Sequence, residues 1–198
     1  MILYYAPGAC SLACHIAMVE AGLSHRLVKV GRDRRTEDGQ DFNTVNPKGY
    51  TPALDLVDGT ILTENLAILA YIAYIAEASG QLLAKEGLAR WRALEATAFM
   101  TSEIHSHFKP FFRPESTPSE KDKAGQVLLM RFGSIDALLG DKAFLVGEQM
   151  TIADAYLFVM LTWAGAMRIT VSTRLADYLA RMKERPSIIK ALSEEGLS

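Results

Sequence analysis

The spacing of apolar residues changes once along the chain, at Ser79-Gly80, and that change limits the architecture more than any single motif does. Ahead of it, short apolar or alternating runs with strand character are interleaved with helical repeats. From Leu88 onward every apolar repeat has helical spacing. A chain of 198 residues with 49% hydrophobic side chains can bury a core on each side of the break. The reading is a mixed α/β domain over 1-78, a linker over 79-84 and an all-helical domain over 85-198.

In the first part, Ile2 to Ala6 reads as a buried strand and Ser11 to Ala21 as a helix closed by Gly22. His25 to Val30 reads as a second strand, parallel to the first. Gly31 to Asn46 is irregular, with at most one helical turn near Phe42. Ala53 to Val57 and Ile61 to Thr63 form a hairpin about Asp58-Gly59-Thr60, and a helix runs from Glu64 to Ala78. In the second part a long helix covers Leu88 to His107. Thr117, Pro118 and Glu120 open another through a capping box, and Thr151 with Asp154 opens a third. Shorter helices cover Arg174 to Lys183 and Ser187 to Glu194.

Lysine and arginine number 21 against 23 acidic residues, a net charge of −2 without a run of one sign, so neither nucleic acid nor a membrane surface is an expected partner. The longest apolar runs, Leu66 to Ala76 and Ala155 to Met167, are too short to cross a bilayer. The N-terminus lacks the basic region of a secretory signal. Two cysteines, Cys10 and Cys14, in such a chain point to a reducing, cytoplasmic setting without a disulfide framework. Their spacing is not Cys-x-x-Cys, and with four histidines in no paired ligand spacing, no metal site is expected.

Cys10 sits at the seam between the first strand and the first helix, after Pro7-Gly8-Ala9. Two readings compete there. Free N–H groups and the positive end of the helix dipole favour a thiolate; a small buried apolar residue at a tight turn is the plainer one.

The segments "YYAPGACSLACHIAMVEAG", "VNPKGYTPAL", "DGTILTENLAI", "FFRP" and "TIADAYLF" resemble the cytosolic glutathione transferases, and among them the bacterial beta class, with a likeness from Met1 to Leu197. The resemblance implies a thioredoxin-like N-terminal α/β domain (β-α-β-α-β-β-α) that binds glutathione. It also implies an all-α C-terminal domain that supplies most of the pocket for a small hydrophobic electrophile, and a homodimer. Its chemistry uses glutathione as co-substrate and no metal.

Residue by residue, the resemblance makes Cys10 and His105 catalytic, with Tyr5 and Ser11 as secondary donors to the glutathione sulfur. It makes Pro52 cis, presenting the backbone of Thr51 to the cysteinyl amide of glutathione as an added strand would. Asn65 and the helix N–H groups around it hold the γ-glutamyl carboxylate, and Glu64 receives the γ-glutamyl ammonium. Arg34 or Arg35 takes the glycine carboxylate. Ser102 joins the glutathione contacts, and Glu103 reaches glutathione on the other subunit. At least two of Phe108, Phe111, Phe112 and Trp163 line the apolar pocket beside His105. Ala98, Ser106 and His107 depart from the asparagine, lysine and glycine of relatives. A cysteine also admits a mixed disulfide, so glutathione-dependent thiol–disulfide exchange stands beside conjugation, and a ligand-binding module with little turnover is the third reading. Cys14 and His15 read as packing and hydrogen-bonded core, and Thr151 with Asp154 as a folding device.

Overall fold

The computed structural model describes residues 1–76 and 82–197. Strand β1 (Ile2–Tyr5) leads through a tight turn into α1 (Ser11–Glu20), which returns the chain to β2 (Arg26–Lys29). A single 3₁₀ turn, Phe42–Thr44, is all the helix that the polar excursion forms; Asp41 caps it by accepting the Asn43 N–H at 3.0 Å. Then come β3 (Ala53–Asp55), β4 (Ile61–Thr63) and α2 (Asn65–Ile75). The sheet order is β2-β1-β3-β4. β1 runs parallel to β2 with Ile2 opposite Arg26, and antiparallel to β3 with Ile2 opposite Asp55; β3 and β4 close the hairpin. The expected end of α2 at Ala78 and much of the 79-84 linker lie outside the described residues. Its tail is packed: Leu82 and Leu83 are buried, and the Leu82 carbonyl accepts the Ile152 N–H at 3.0 Å.

In the second part the long helix expected over Leu88 to His107 is not one helix. α3 (Gly87–Phe99) passes into a π turn at Met100–Ile104, then a 3₁₀ turn at His105–Phe108, then α4 (Lys109–Phe112). Hydroxyls compete with the backbone ladder here: Thr97 donates to the Ala93 carbonyl at 2.7 Å, Thr101 to Thr97 at 3.0 Å, Ser102 to Ala98 at 3.2 Å, and Ser106 to Ser102. Pro110, with no N–H to donate, falls in the first turn of α4, where a proline is tolerated. α5 (Pro118–Leu139) opens with the expected box: Glu120 accepts the Thr117 N–H at 2.8 Å while its own N–H reaches the Thr117 hydroxyl at 3.3 Å. α6 (Ile152–Ala166), α7 (Thr173–Lys183) and α8 (Pro186–Glu194) complete the chain.

Two helices carry the core. α1 is buried from Ser11 to Met18 and α6 from Ile152 to Leu161, the signature of helices apolar all round. They pack on each other, and α8 covers another side of α1. Within the described residues no helix is long and apolar enough to cross a membrane.

Candidate functional site

The turn between β1 and α1 is pinned from the helical part. The Gly8 carbonyl accepts the indole N–H of Trp163 at 2.8 Å, and the Gly8 N–H donates to Glu195 Oε2 at 2.9 Å. Gly8 has φ +68°, a conformation that a side chain disfavours, and the methyl of an alanine there would also rest on Leu197. Ser11, fully buried, closes the same turn by accepting the Ala6 N–H and donating to the Ala6 carbonyl, each at 3.2 Å. This braced turn places Cys10 at the first position before α1.

Cys10 faces a cavity of about 400 Å³ between the two parts of the chain. The α/β part contributes Cys10, Tyr50, Thr51, Pro52, Glu64 and Asn65; the helical part contributes Thr101, His105, Ser106, Lys109 and Tyr156. The Cys10 thiol donates to the Thr51 carbonyl at 3.6 Å, and the Thr51–Pro52 peptide bond is cis, as expected. Burial pushes the thiol up to about 12, against the opposing pull of the Cys10 and Ser11 N–H groups. Of the two readings of Cys10, this favours the buried apolar residue over the thiolate, because desolvation outweighs the dipole.

Asn65 begins α2 and is 7% exposed. Its Oδ1 accepts the Cys14 thiol at 3.0 Å; among the described residues its buried Nδ2 makes no hydrogen bond of ordinary geometry, although the amide lies close enough to the Tyr156 hydroxyl to act on it as a donor. A buried donor left unpaired costs about 1–3 kcal/mol. Beside it, Glu64 has φ +72°, unusual for any residue with a side chain. Its Oε1 accepts the Lys48 ammonium at 2.6 Å and the Tyr50 hydroxyl at 2.9 Å, which together hold its carboxyl below the usual range. An ammonium group thus already rests on the carboxylate expected to receive one.

On the opposite wall His105 Nδ1 meets the Tyr156 hydroxyl at 2.6 Å, and its ring packs edge-on against Trp163 with centroids 5.0 Å apart. Burial first, and the charge of Lys109 second, bring the imidazole down to about 4, so it is neutral at pH 7. Burial raises the Tyr156 hydroxyl well above its ordinary value.

Several expected site residues do not reach this cavity. Tyr5 is buried among the core side chains, with its ring 6.5 Å from that of His15. Ser11 is used up in the turn. Arg35 donates to the Gly39 carbonyl at 3.0 Å and Arg34 lies against Gly49, so neither guanidinium lines the cavity. Ser102 bonds back along its helix. Glu103, expected to reach glutathione on the other subunit and not this cavity, forms an ion pair with Arg131 at 2.8 Å. The four aromatics form a cluster behind His105 and do not line this cavity: Phe108 is fully buried between Phe132 and Trp163, Phe112 packs edge-on against Trp163 from outside, and Phe111 borders a separate groove with Lys121 and Met167. The reason is that the π turn and the 3₁₀ turn rotate this segment, so His105, Ser106 and Lys109 face the cavity instead. Tyr50, Thr101, Lys109 and Tyr156 were not anticipated. Tyr156 alone left a trace, since a phenol in the apolar run "ADAYLFVMLTW" has to find a partner.

The two halves of the chain match separate family profiles: glutathione S-transferase, N-terminal domain, over residues 8–74, and glutathione S-transferase, C-terminal domain, over residues 99–186. The chain is 40% identical over the full length of both proteins to glutathione S-transferase GstA of Escherichia coli O157:H7. Its structure superposes with TM-score 0.92 at 40% identity, over all of both chains, on a sphingomonad glutathione S-transferase complexed with glutathione. The same figures hold for a bacterial beta class glutathione S-transferase of Sphingomonas chungbukensis.

Proposed function

This chain belongs to the glutathione S-transferase family, and on that premise we propose that its cavity seats reduced glutathione and joins the glutathione sulfur to a small hydrophobic electrophile. The γ-glutamyl carboxylate lies at the start of α2, where Asn65 Nδ2 supplies the hydrogen bond it lacks in the free chain. The ammonium displaces Lys48 from Glu64. The sulfur lies between Cys10 and His105. Cys10, protonated, turns its S–H from the Thr51 carbonyl to the glutathione thiolate, and neutral His105 donates or accepts a proton there with its ring fixed by Tyr156. The electrophile enters from the side of Ser106 and Lys109. The protein acts as a homodimer, for which exposed Tyr74 on α2 and Leu88 and Trp91 on α3 offer an apolar face. A protonated, buried Cys10 favours conjugation over thiol–disulfide exchange, because exchange needs a thiolate to attack.

The unpaired Asn65 Nδ2 carries this reading, and Asn65→Leu tests it. Removing this buried donor raises the KM for glutathione about tenfold or more while the melting temperature holds or rises. An unchanged KM, measured with a chlorodinitrobenzene electrophile, rejects the placement.

A further inference from the structure

A second constellation of ligating groups lies away from the cavity, where α1 meets the end of α8. One ring nitrogen each from His15 and His25 and a carboxylate oxygen of Glu194 lie within 4.8 Å of one another. We propose that these three residues bind one Zn²⁺, which clips the C-terminal helix to the first domain.

The surroundings have the form of a metal site's outer shell. His15, fully buried, holds Glu195 Oε1 at 3.0 Å with Nδ1; a carboxylate only accepts, so Nδ1 carries the proton and Nε2 is the nitrogen turned to Glu194 Oε2, at 2.9 Å. Glu195 is itself held, its Oε2 accepting the Gly8 N–H at 2.9 Å. His25 donates from Nδ1 to the Leu23 carbonyl at 2.7 Å, which leaves Nε2 with a bare lone pair. Both histidines thus have one nitrogen fixed by an oxygen acceptor, the arrangement that orients metal-bound imidazoles.

Between His15 Nε2 and Glu194 Oε2 a positive bridge is required, and Zn²⁺ takes the place of the proton, which passes to solvent. Two imidazoles and one carboxylate suit zinc at bond lengths of about 2.0–2.2 Å, with solvent as fourth ligand. Glu194 is the ligand free to adjust, because its side chain is partly exposed and, among the described residues, it is engaged besides His15 by Lys190, 3.8 Å from the other carboxylate oxygen. The histidines are ten residues apart, on a helix and in a loop, so their spacing in the sequence does not resemble a zinc motif.

The test titrates Zn²⁺ into the full chain, stripped with chelator and free of glutathione, against a chromophoric zinc indicator. One equivalent binds and the melting temperature rises with zinc. His25→Ala and Glu194→Gln each weaken binding about tenfold or more and remove the thermal shift. His25→Ala leaves the zinc-free melting temperature in place, since His25 lies outside the carboxylate pair. Co²⁺ gives the absorption of a tetrahedral nitrogen and oxygen site. No stoichiometric binding at micromolar zinc, binding indifferent to both substitutions, or a thiolate-to-cobalt band that places the metal on Cys10 or Cys14 overturns the proposal.

Discussion

Glu64 and Asp154 each stand at the start of a helix, Glu64 just before α2 and Asp154 in the first turn of α6, and in the sequence they look alike. In the fold they are opposites. Asp154 is fully buried and accepts four hydrogen bonds: from the Thr151 N–H and hydroxyl, each at 2.8 Å, the Leu145 N–H at 2.9 Å and the Tyr178 hydroxyl at 2.8 Å. Its side chain ties α6, α7 and the loop before α6 together, and burial still raises its carboxyl despite those bonds. Glu64 is half exposed, stands on strained backbone, and holds only groups that a ligand can replace. A carboxylate whose acceptors are saturated inside the protein serves folding; one left open toward a cavity serves binding.

The largest expected effect tests the buried member. Asp154→Ala strands two backbone N–H groups and a phenol, and costs about 3 kcal/mol or more, well above the roughly 1 kcal/mol of an ordinary cap. Thermal and urea unfolding measure it, with the KM for glutathione near wild type. A loss within ordinary capping range would erase the contrast. Next comes Glu64→Ala, which raises the KM for glutathione about tenfold, equivalent to about 1.4 kcal/mol, without lowering the melting temperature. Equal losses of stability at both positions would show that the acids do one job.

His105 sharpens the comparison from the facing wall. Because its imidazole is brought from the ordinary value down to about 4, the folded chain binds that proton less readily than the unfolded one. Its contribution to stability is full above about pH 6.5 and declines as pH falls toward 4. In solution NMR its ring resonances stay constant from about pH 5.5 to 8, where an ordinary histidine titrates midway. Tyr156→Phe lowers kcat several-fold with little change in KM, since the phenol orients His105 and touches no part of the glutathione backbone in the proposed pose. The smallest effect belongs to Lys48→Met. The Lys48–Glu64 pair is exposed, so stability changes by less than about 0.5 kcal/mol. Because Glu64 is held below its ordinary value, whatever it contributes is present above that value and lost on acidification. Glutathione affinity, measured by calorimetry, improves slightly when Lys48 no longer competes for Glu64; a large loss would assign Lys48 a contact of its own.

The elements with local signals were legible in the sequence. Strand, helix and strand over Ile2 to Lys29, the Asp58-Gly59 hairpin and both Thr-opened helices stand where turn chemistry and periodicity place them. Within the cavity, Cys10, Thr51, Pro52, Glu64, Asn65 and His105 were anticipated, all of them in these roles through the family resemblance. What was not legible depends on rotation and distance. Phe108 and Ser106, two residues apart, lie on opposite faces as they would in any helix, but which of the two faces the core is set by the change of winding between α3 and α4. Arg34 and Arg35 point elsewhere because the excursion after β2 folds on itself through Asp41 and Gly39. The protonated state of Cys10 follows from how completely both parts of the chain cover it, and a tally of charges and caps along the sequence contains no measure of that.

The π turn at Met100–Ile104 also has a meaning for how such chains diverge. A π turn accommodates one residue more than the α turn it replaces, and each residue of an α-helix advances the azimuth by about 100°. The segment therefore behaves as an insertion that has been retained. Deleting one residue there turns the π turn back into an α turn and leaves the later side chains, His105 among them, on nearly the same azimuth. When two such chains are aligned, a gap placed a few columns to either side of these five residues shifts the positions between by one and pairs each cavity-wall residue with a neighbour of its true counterpart, so the gap belongs inside the turn.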